Sequence, residues 1–182
     1  MNKENRARQI NFKGEVSQRH EANALLNAPA DAVLVTRGVR RSVAMACPDG
    51  CGEQLTVNLD PRAGPAWRLF KTEVNMSLFP SVWRETGCLS HFIVWRSKIF
   101  WCDWYDELDE PMDDLVDKTR PMLGNEFVSF VAIADDLDVV PWAVLSACRK
   151  LCRSGYAESG VGPQQGHFRR RKDNAPAALD TE

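Results

Sequence analysis

Two short cysteine motifs constrain the fold of this chain more than any other feature. Cys47-Pro-Asp-Gly-Cys51-Gly places two thiols in a Pro/Gly turn, and Cys88-Leu-Ser-His91 places a thiol close to an imidazole. Three sulfurs and one nitrogen make a complete tetrahedral ligand set for a structural zinc ion. The sequence therefore predicts that Cys47, Cys51, Cys88 and His91 bind zinc, which would bring two distant loops together.

The alternative for these cysteines is that they are small buried apolar residues, with His91 an ordinary strand residue. Two paired half-motifs favour the metal site over this alternative. Cys102 is a rival ligand, because it ends the strand that is predicted to pair with the strand begun by His91, but a core thiol is the favoured interpretation of this residue. Cys148 and Cys152 lie one helical turn apart, have no second pair nearby and are predicted to pack in the core.

The N-terminal sequence MNKENRARQINFKGEV is polar and charged. Nowhere does a run approach the ~20 apolar residues of a membrane-spanning helix. We therefore expect a cytoplasmic protein, whose reduced thiols are available to a metal. The formal net charge is −2, so the chain as a whole has no basic field that would attract nucleic acid.

Residues 31–102 contain β-branched and aromatic runs separated by turn signals, which predicts a β domain. The predicted strands are DAVLVT, SVAMAC, QLTVNL, AWRLF, HFIVW and KIFWC. Arg96-Ser97 is predicted to be the tight turn of a hairpin, and SLFPS is predicted to be a turn. The predicted fold class is α+β, with a zinc-ribbon-like small β domain at 31–102 after a flexible leader at 1–30.

From residue 112 to residue 172 the apolar spacing becomes helical. The predicted helices are MDDLVDKT, EFVSFVAIADDL with Asn125 as its cap, and PWAVLSACRKLCRS, followed by a hairpin around SGVGPQQG. This order resembles a winged helix-turn-helix, so 112–172 is predicted to be a winged-helix-like domain. An acidic linker at 103–111 and a disordered tail at 173–182 are expected to flank it.

Basic residues of the helical domain suggest DNA binding as an alternative function. They lie on the last helix and after the hairpin: Arg149, Lys150, Arg153, Arg169, Arg170 and Arg171. The competing interpretation is a solvated helix face followed by a basic tail.

Trp83 and Arg84 are the candidate partner-binding residues. They lie in a predicted loop beside the metal motif, and Trp and Arg are favoured at the centres of protein interfaces. The alternative is that Trp83 caps the core of the β domain.

His91 also supports a catalytic alternative. A histidine followed by a strand, a turn and another strand resembles the histidine hairpin of papain-like peptidases, in which Ser81 or Cys88 would be the nucleophile. A histidine that binds zinc cannot also act as the base. The peptidase therefore remains an alternative, and the sequence assigns no catalytic residue.

The strings CPDGCGEQLTVNLDP, SLFPSVW and GCLSHFIVWRSKIFWC resemble a bacterial family of unknown function with zinc-ribbon-like CPxGCG and GCxSHF motifs. That family is associated with gene clusters for multi-ubiquitin-like proteins, ThiF-type activating enzymes and ubiquitin-conjugating-like enzymes. The resemblance, over residues 43–102, implies a metal-binding fold and partners in ubiquitin-like conjugation, but no reaction.

The first prediction is accordingly a zinc-binding adaptor, with a ligase-like role as one form of it. It would bind a ubiquitin-like protein or its activating or conjugating enzymes. The alternatives are a DNA-binding regulator that uses the winged helix and a papain-like deconjugating peptidase.

Overall fold

The computed structural model describes residues 6–102 and 113–172. The chain divides into two units, Met1–Glu107 and Leu108–Glu182, and both strands and helices are present, which confirms the α+β class. The predicted acidic linker at 103–111 and the predicted tail at 173–182 lie outside the described residues. Within the described part of the chain, no helix has the length and apolar character needed to cross a membrane.

The first unit begins with a sheet of four strands, in the order β1-β2-β3-β4. The strands are β1 (Asn11–Val16), β2 (Asp31–Arg37), β3 (Val39–Ala46) and β4 (Gln54–Asn58). β1 is parallel to β2, and the other pairs are antiparallel. Strand β1 lies where the sequence predicted a flexible leader. Its side chains are polar or charged on the exposed face, which hides the strand pattern.

Strand β2 is buried on both of its faces. On one face, Val33 and Val35 pack with Ala22 and Leu26, which belong to or follow the short helix α1 (Arg19–Ala22). The opposite face contributes to the main core. A continuous apolar strand such as DAVLVT is expected where both faces of a strand are covered.

The second sheet of this unit is antiparallel, in the order β5-β6-β7-β8. Its strands are β5 (Arg68–Lys71), β6 (Met76–Trp83), β7 (His91–Trp95) and β8 (Lys98–Trp101). The turn predicted at SLFPS is wrong, because these residues lie within β6. The tight hairpin between β7 and β8 is confirmed, and Arg96 and Ser97 have φ angles of 51° and 61°, as a two-residue hairpin turn requires.

Alternate side chains of the two sheets form one apolar core. The largest include Leu34, Met45, Leu78, Phe92 and Trp101, none more than 2% exposed. Because side chains alternate along a strand, the neighbours of these core residues lie on the opposite face of their sheet. Ser81, Trp83 and His91 are on that outer face of the second sheet, since Val82 and Phe92, their neighbours along the strands, are buried in the core.

The second unit contains three helices and a small sheet among its described residues. These elements are α2 (Asp113–Thr119), β9 (Val128–Ser129), α3 (Phe130–Asp136), α4 (Pro141–Arg153), β10 (Ala157–Ser159) and β11 (His167–Arg170). The three predicted helices and the hairpin are confirmed. Helix α3 begins later than predicted, because Ser129 rather than Asn125 caps it and accepts a bond from the Val131 amide at 3.2 Å. The winged-helix interpretation stays a prediction.

Candidate functional site

A bulge in β6 determines where the Ser81 side chain lies. The ladder between β6 and β7 pairs Leu78 with Val94 and Val82 with Phe92, and the register shifts between these two pairs. Strand β6 therefore uses two more residues than β7 over the same stretch, and Ser81 is within the excess. Such bulges bend a strand outward and re-aim a side chain.

The bulge brings Ser81 to His91, the first residue of β7. The Ser81 Oγ atom lies 3.0 Å from His91 Nε2, within hydrogen-bond distance. In the tautomer that carries its proton on Nδ1, the imidazole accepts the serine hydroxyl proton at Nε2. A hydroxyl and an imidazole in this arrangement are the nucleophile and general base of hydrolytic enzymes.

Trp67 fixes the backbone of the bulge. Its indole N–H donates to the Ser81 carbonyl oxygen at 3.2 Å, while its own amide donates to the Asn58 carbonyl at the end of β4 at 2.8 Å. The residue thus ties the bulge in the second sheet to the end of the first sheet. Sequence reasoning missed this role, since tryptophan is common in the cores of β domains.

The predicted turn at the first cysteine motif joins β3 to β4. The Cys47 amide donates to the Glu53 carbonyl at 2.8 Å, and Gly50 and Gly52 have φ angles of 81° and 83°, which are strained for other residues. Arg6 supports the turn through an ion pair with Asp49 at 2.8 Å. This geometry turns the Cys47 and Cys51 side chains toward the same side.

Three of the four predicted zinc ligands come together. The sulfur atoms of Cys47, Cys51 and Cys88, here called the thiol cluster, all lie within 4.8 Å of one another. Cys47 and Cys88 are 3.6 Å apart, close to the ~3.8 Å expected between sulfurs bound tetrahedrally at Zn–S distances of about 2.3 Å. The cluster therefore fits three ligands of a zinc ion. His91 lies outside the group and contacts Ser81, and its role as the fourth ligand stays a prediction.

The guanidinium group of Arg84 lies against the thiol cluster. Its Nη1 atom is 3.1 Å from Cys88 Sγ, 3.5 Å from Cys51 Sγ and 3.9 Å from Cys47 Sγ. Its Nη2 atom forms an ion pair with Glu53, and the Arg84 side chain is only 13% exposed. The structure thus places this predicted partner-binding residue against the thiols rather than on the open surface.

The protonation of the cluster is asymmetric. Burial raises the pKa of the Cys47 thiol to about 12. Burial also acts to raise the pKa of Cys88, but hydrogen bonds with Ser90 and with the other thiols outweigh it, so this pKa falls to about 7. Cys88 is also the sulfur nearest to Arg84, with 3.1 Å between Sγ and Nη1.

Trp83 is on the surface beside the Ser81–His91 pair. It is 63% exposed, it is the strand partner of His91, and the two rings are 5.9 Å apart. Leu89, in the loop between β6 and β7, is 62% exposed. An exposed aromatic side chain such as Trp83 can contribute to a contact with a partner protein.

The basic side chains predicted to contact DNA are divided between internal contacts and the surface. Arg169 forms an ion pair with Glu158 at 2.6 Å and stacks on Phe127 at 4.4 Å, and Arg170 donates to Asn125 at 3.3 Å. The exposed or half-buried remainder comprises Arg149, Lys150, Arg153 and Arg171. The first two turns of α4 are buried, whereas a recognition helix presents such turns to the bases. This arrangement gives no support to DNA binding.

Residues 17–102 match the model of a protein family described as "Bacterial ubiquitination-like system serine protease (BubE)". The match covers just under half of the chain and includes Ser81, His91 and the thiol cluster. It agrees with the ubiquitin-like context that the sequence resemblance implies. No curated protein and no solved structure matched the chain.

Proposed function

We propose that this protein is a serine peptidase of a bacterial ubiquitination-like system, with Ser81 as nucleophile and His91 as general base. The observation that carries the proposal is the 3.0 Å contact between Ser81 Oγ and His91 Nε2. It lies within the segment similar to a family described as a serine protease. Of the two nucleophiles considered from the sequence, Ser81 is favoured, because Cys88 belongs to the thiol cluster.

In this proposal Ser81 Oγ attacks the carbonyl carbon of the scissile bond as its proton passes to His91 Nε2. The imidazolium then gives that proton to the departing amine, which leaves an acyl group on Ser81. Water, deprotonated by His91, attacks the acyl group and releases the new carboxylate, and the proton returns to Ser81. Trp67 supports these steps by holding the Ser81 carbonyl, and therefore the position of its side chain.

We further propose that the thiol cluster binds a structural zinc ion. The three sulfurs fit such an ion, and His91 is then left to Ser81. Zinc, when bound, would supply a cross-link between the β3–β4 turn and the loop that precedes β7. The ion would hold these segments against each other, and a fourth ligand besides the three sulfurs would complete its tetrahedral coordination.

The proposed substrate is a ubiquitin-like protein, or a conjugate of one, from the same system. Trp83, exposed beside His91, would hold the substrate chain next to the nucleophile. In the second unit, we infer a winged-helix-like domain, since helices α2, α3 and α4 are followed by a hairpin whose strand β11 also pairs with β9.

Labelling by a fluorophosphonate probe tests the nucleophile directly. Attack by Ser81 Oγ on phosphorus displaces fluoride, and peptide mass spectrometry locates the adduct. We expect the label on Ser81 and its loss in Ser81→Ala and His91→Asn. The exposed Ser17→Ala variant, as a matched control, should label like the wild type.

Cleavage of a ubiquitin-like protein fused to a reporter tests the substrate class. The ubiquitin-like protein should come from the gene cluster of this protein, and Ser81→Ala should lower kcat/KM by at least about 10³-fold. If the wild-type protein is neither labelled nor able to cleave the fusion, the peptidase proposal is wrong.

A non-catalytic adaptor is the second candidate function, and the observation that favours it is the exposed Trp83. It predicts that the Ser81→Ala protein still binds the ubiquitin-like protein or its activating or conjugating enzyme and retains its role in cells. In calorimetric titrations, Trp83→Ala should weaken this binding by about 30-fold, as expected for an interface hot spot worth ~2 kcal/mol. Loss of cellular function in Ser81→Ala, with binding intact, would count against the adaptor.

A further inference from the structure

We propose that Arg84 is a positioning residue that couples the thiol cluster to the Ser81–His91 pair. This inference rests on the proposed peptidase function and concerns how its active site is held. It assigns Arg84 a role inside the protein, in place of the partner contact expected from the sequence.

The loop at 84–90 connects the two strands that carry Ser81 and His91. At its base the Arg84 amide donates to the Ser90 carbonyl at 2.9 Å, directly beyond the Trp83–His91 strand pair. The loop is therefore the continuation of the ladder on which the nucleophile and the base are placed. A change in its conformation would reach both residues through the backbone.

Both ends of this loop are attached to the thiol cluster. At the first end, the Arg84 guanidinium contacts all three sulfurs at 3.1–3.9 Å. At the second end, Cys88 belongs to the cluster, and Ser90 Oγ lies 3.4 Å from Cys88 Sγ and 3.8 Å from Cys47 Sγ. Ser90 is 1% exposed and immediately precedes His91. The cluster thus fixes the loop at the points where it leaves β6 and enters β7.

Charge explains why an arginine occupies this position. With zinc bound, three thiolates around the divalent ion would leave a net charge of −1, which the guanidinium in contact with the sulfurs would balance. Glu53 orients the guanidinium through its ion pair with Nη2. A planar group with several N–H donors can contact three sulfurs and one carboxylate together, which the single ammonium of lysine cannot do in the same geometry.

The backbone at Gly87 packs closely on the ion pair between Arg84 and Glu53. A Cβ atom added at Gly87 would lie 3.0 Å from Arg84 Nη2 and 3.1 Å from Glu53 Oε2. The loop therefore passes closely over the ion pair, so removing the arginine side chain would take away the contact that supports it.

The consequence for catalysis follows from the sensitivity of a nucleophile–base pair to distance, since a misplacement of about 1 Å can cost 10²-fold in rate. We expect Arg84→Ala to lower kcat by about 10- to 100-fold with little change in KM, because Trp83 and the rest of the outer face remain. Arg84→Lys should recover part of the loss. Arg40, exposed on β3, provides the matched control variant Arg40→Ala, which should behave like the wild type.

The decisive experiment compares these variants in the full-length, zinc-loaded protein. It measures cleavage of the ubiquitin-like fusion, the rate of fluorophosphonate labelling, zinc content and melting temperature. It also follows the His91 ring by NMR, which reports its bond to Ser81 without any substrate. The variants are compared at a zinc concentration that saturates each of them, and the proposal predicts slower labelling and an altered His91 signal in the zinc-saturated Arg84→Ala protein.

Three outcomes would overturn the inference. They are wild-type kcat and labelling in Arg84→Ala, a loss of activity that only parallels loss of zinc or of folding, and failure of both Arg84 variants to fold. An inactive, unlabelled wild-type protein would instead refute the peptidase function on which the inference rests. The two failures are therefore distinguishable.

Discussion

At the scale of single residues, the proposed chemistry depends on one hydrogen bond between residues ten positions apart. Ser81 Oγ and His91 Nε2 are 3.0 Å apart because β6 contains a bulge and because Trp67 holds the Ser81 carbonyl. Neither side chain is unusual in itself. The reactivity proposed for the pair depends on the backbone that places the two side chains together.

Replacement of Trp67 by Phe should separate positioning from folding. The variant keeps most of the apolar ring and loses the N–H that donates to the Ser81 carbonyl. We expect a loss of about 1 kcal/mol in the free energy of unfolding, the usual net value of one hydrogen bond, but a larger relative loss in labelling of Ser81, about tenfold. Denaturant unfolding and probe kinetics measure the two effects, and an unchanged labelling rate would show that Trp67 has no positioning role.

At the scale of structural elements, a turn of the first sheet and a loop of the second sheet together build the thiol cluster. The β3–β4 turn supplies Cys47 and Cys51, and the loop at 84–90 supplies Arg84 and Cys88. These segments require residues that tolerate positive φ, and Gly50, Gly52 and Gly87 provide them.

Gly87 and Gly38 form a matched pair for testing how closely the loop packs. Their φ angles are 70° and 72°, so alanine imposes similar backbone strain at both, about 1–2 kcal/mol. At Gly87, however, the added Cβ meets Arg84 and Glu53, whereas at Gly38 nothing lies within 4 Å. We expect Gly87→Ala to weaken zinc binding as well as lower stability, while Gly38→Ala lowers stability alone. Equal zinc affinities in the two variants would contradict the packing argument.

Asp31 stabilises the start of β2 and gives the first unit a defined pH dependence. The buried carboxylate accepts bonds from the Asn27 and Ala28 amides at 3.0 and 2.9 Å and pairs with Lys13 at 3.2 Å. Burial opposes ionisation, but these bonds and the lysine outweigh it, so the pKa of Asp31 is lowered. Its contribution is therefore fully present above the unfolded pKa of about 3.9 and is lost as the pH falls through the lower folded value.

Replacement of Asp31 by Asn tests this linkage. We expect a loss of about 2 kcal/mol in unfolding free energy at neutral pH, and a smaller loss in the acid range, because the wild type also loses its carboxylate there. Denaturant unfolding between neutral pH and acid gives both values. The exposed Glu73→Gln variant should follow the wild type, and a difference at Asp31 that does not change with pH would contradict the assignment.

At the scale of the whole molecule, the first unit has an apolar core that does not depend on metal alone. Two sheets cover Leu34, Met45, Phe92 and Trp101, and only Cys47 of the thiol cluster is counted among the buried residues of that core. The second unit contains none of the cluster residues. Metal should therefore stabilise the first unit rather than create it.

Removal of zinc by a chelator tests this expectation. We expect the melting temperature of the first unit to fall by more than about 10 °C, since a ligand at 1,000 times its Kd contributes about 4 kcal/mol. Circular dichroism should still show the strands at low temperature, and the transition of the second unit should not move. A fully unfolded first unit without zinc would show that the core is insufficient on its own.

The sequence by itself determined most of the helices and strands and the identity of the site residues, but not the contacts between those residues. Its apolar patterns predicted β2 to β5, β7 and β8 and the helices α2, α3 and α4. These elements are predictable because the spacing of apolar side chains and the position of turn residues are local properties of the sequence. It also identified Ser81, His91 and the cysteines as candidates, because the residue type alone shows that a side chain can act as a nucleophile, a base or a metal ligand. It missed β1, whose exposed face is polar, and β6, whose bulge and Pro80 resemble a turn. It also missed the short strand β9, whose residues were predicted to be helical.

Only the tertiary structure decided which of these residues meet. The sequence left His91 shared between zinc and catalysis, because Cys88 is near it along the chain and Ser81 is not. The register of β6 against β7, with its bulge, directs His91 to Ser81, while the loop at 84–90 carries Cys88 and the Arg84 side chain to Cys47 and Cys51. Strand register and side-chain direction are set by packing across the whole sheet, so no local pattern determines them.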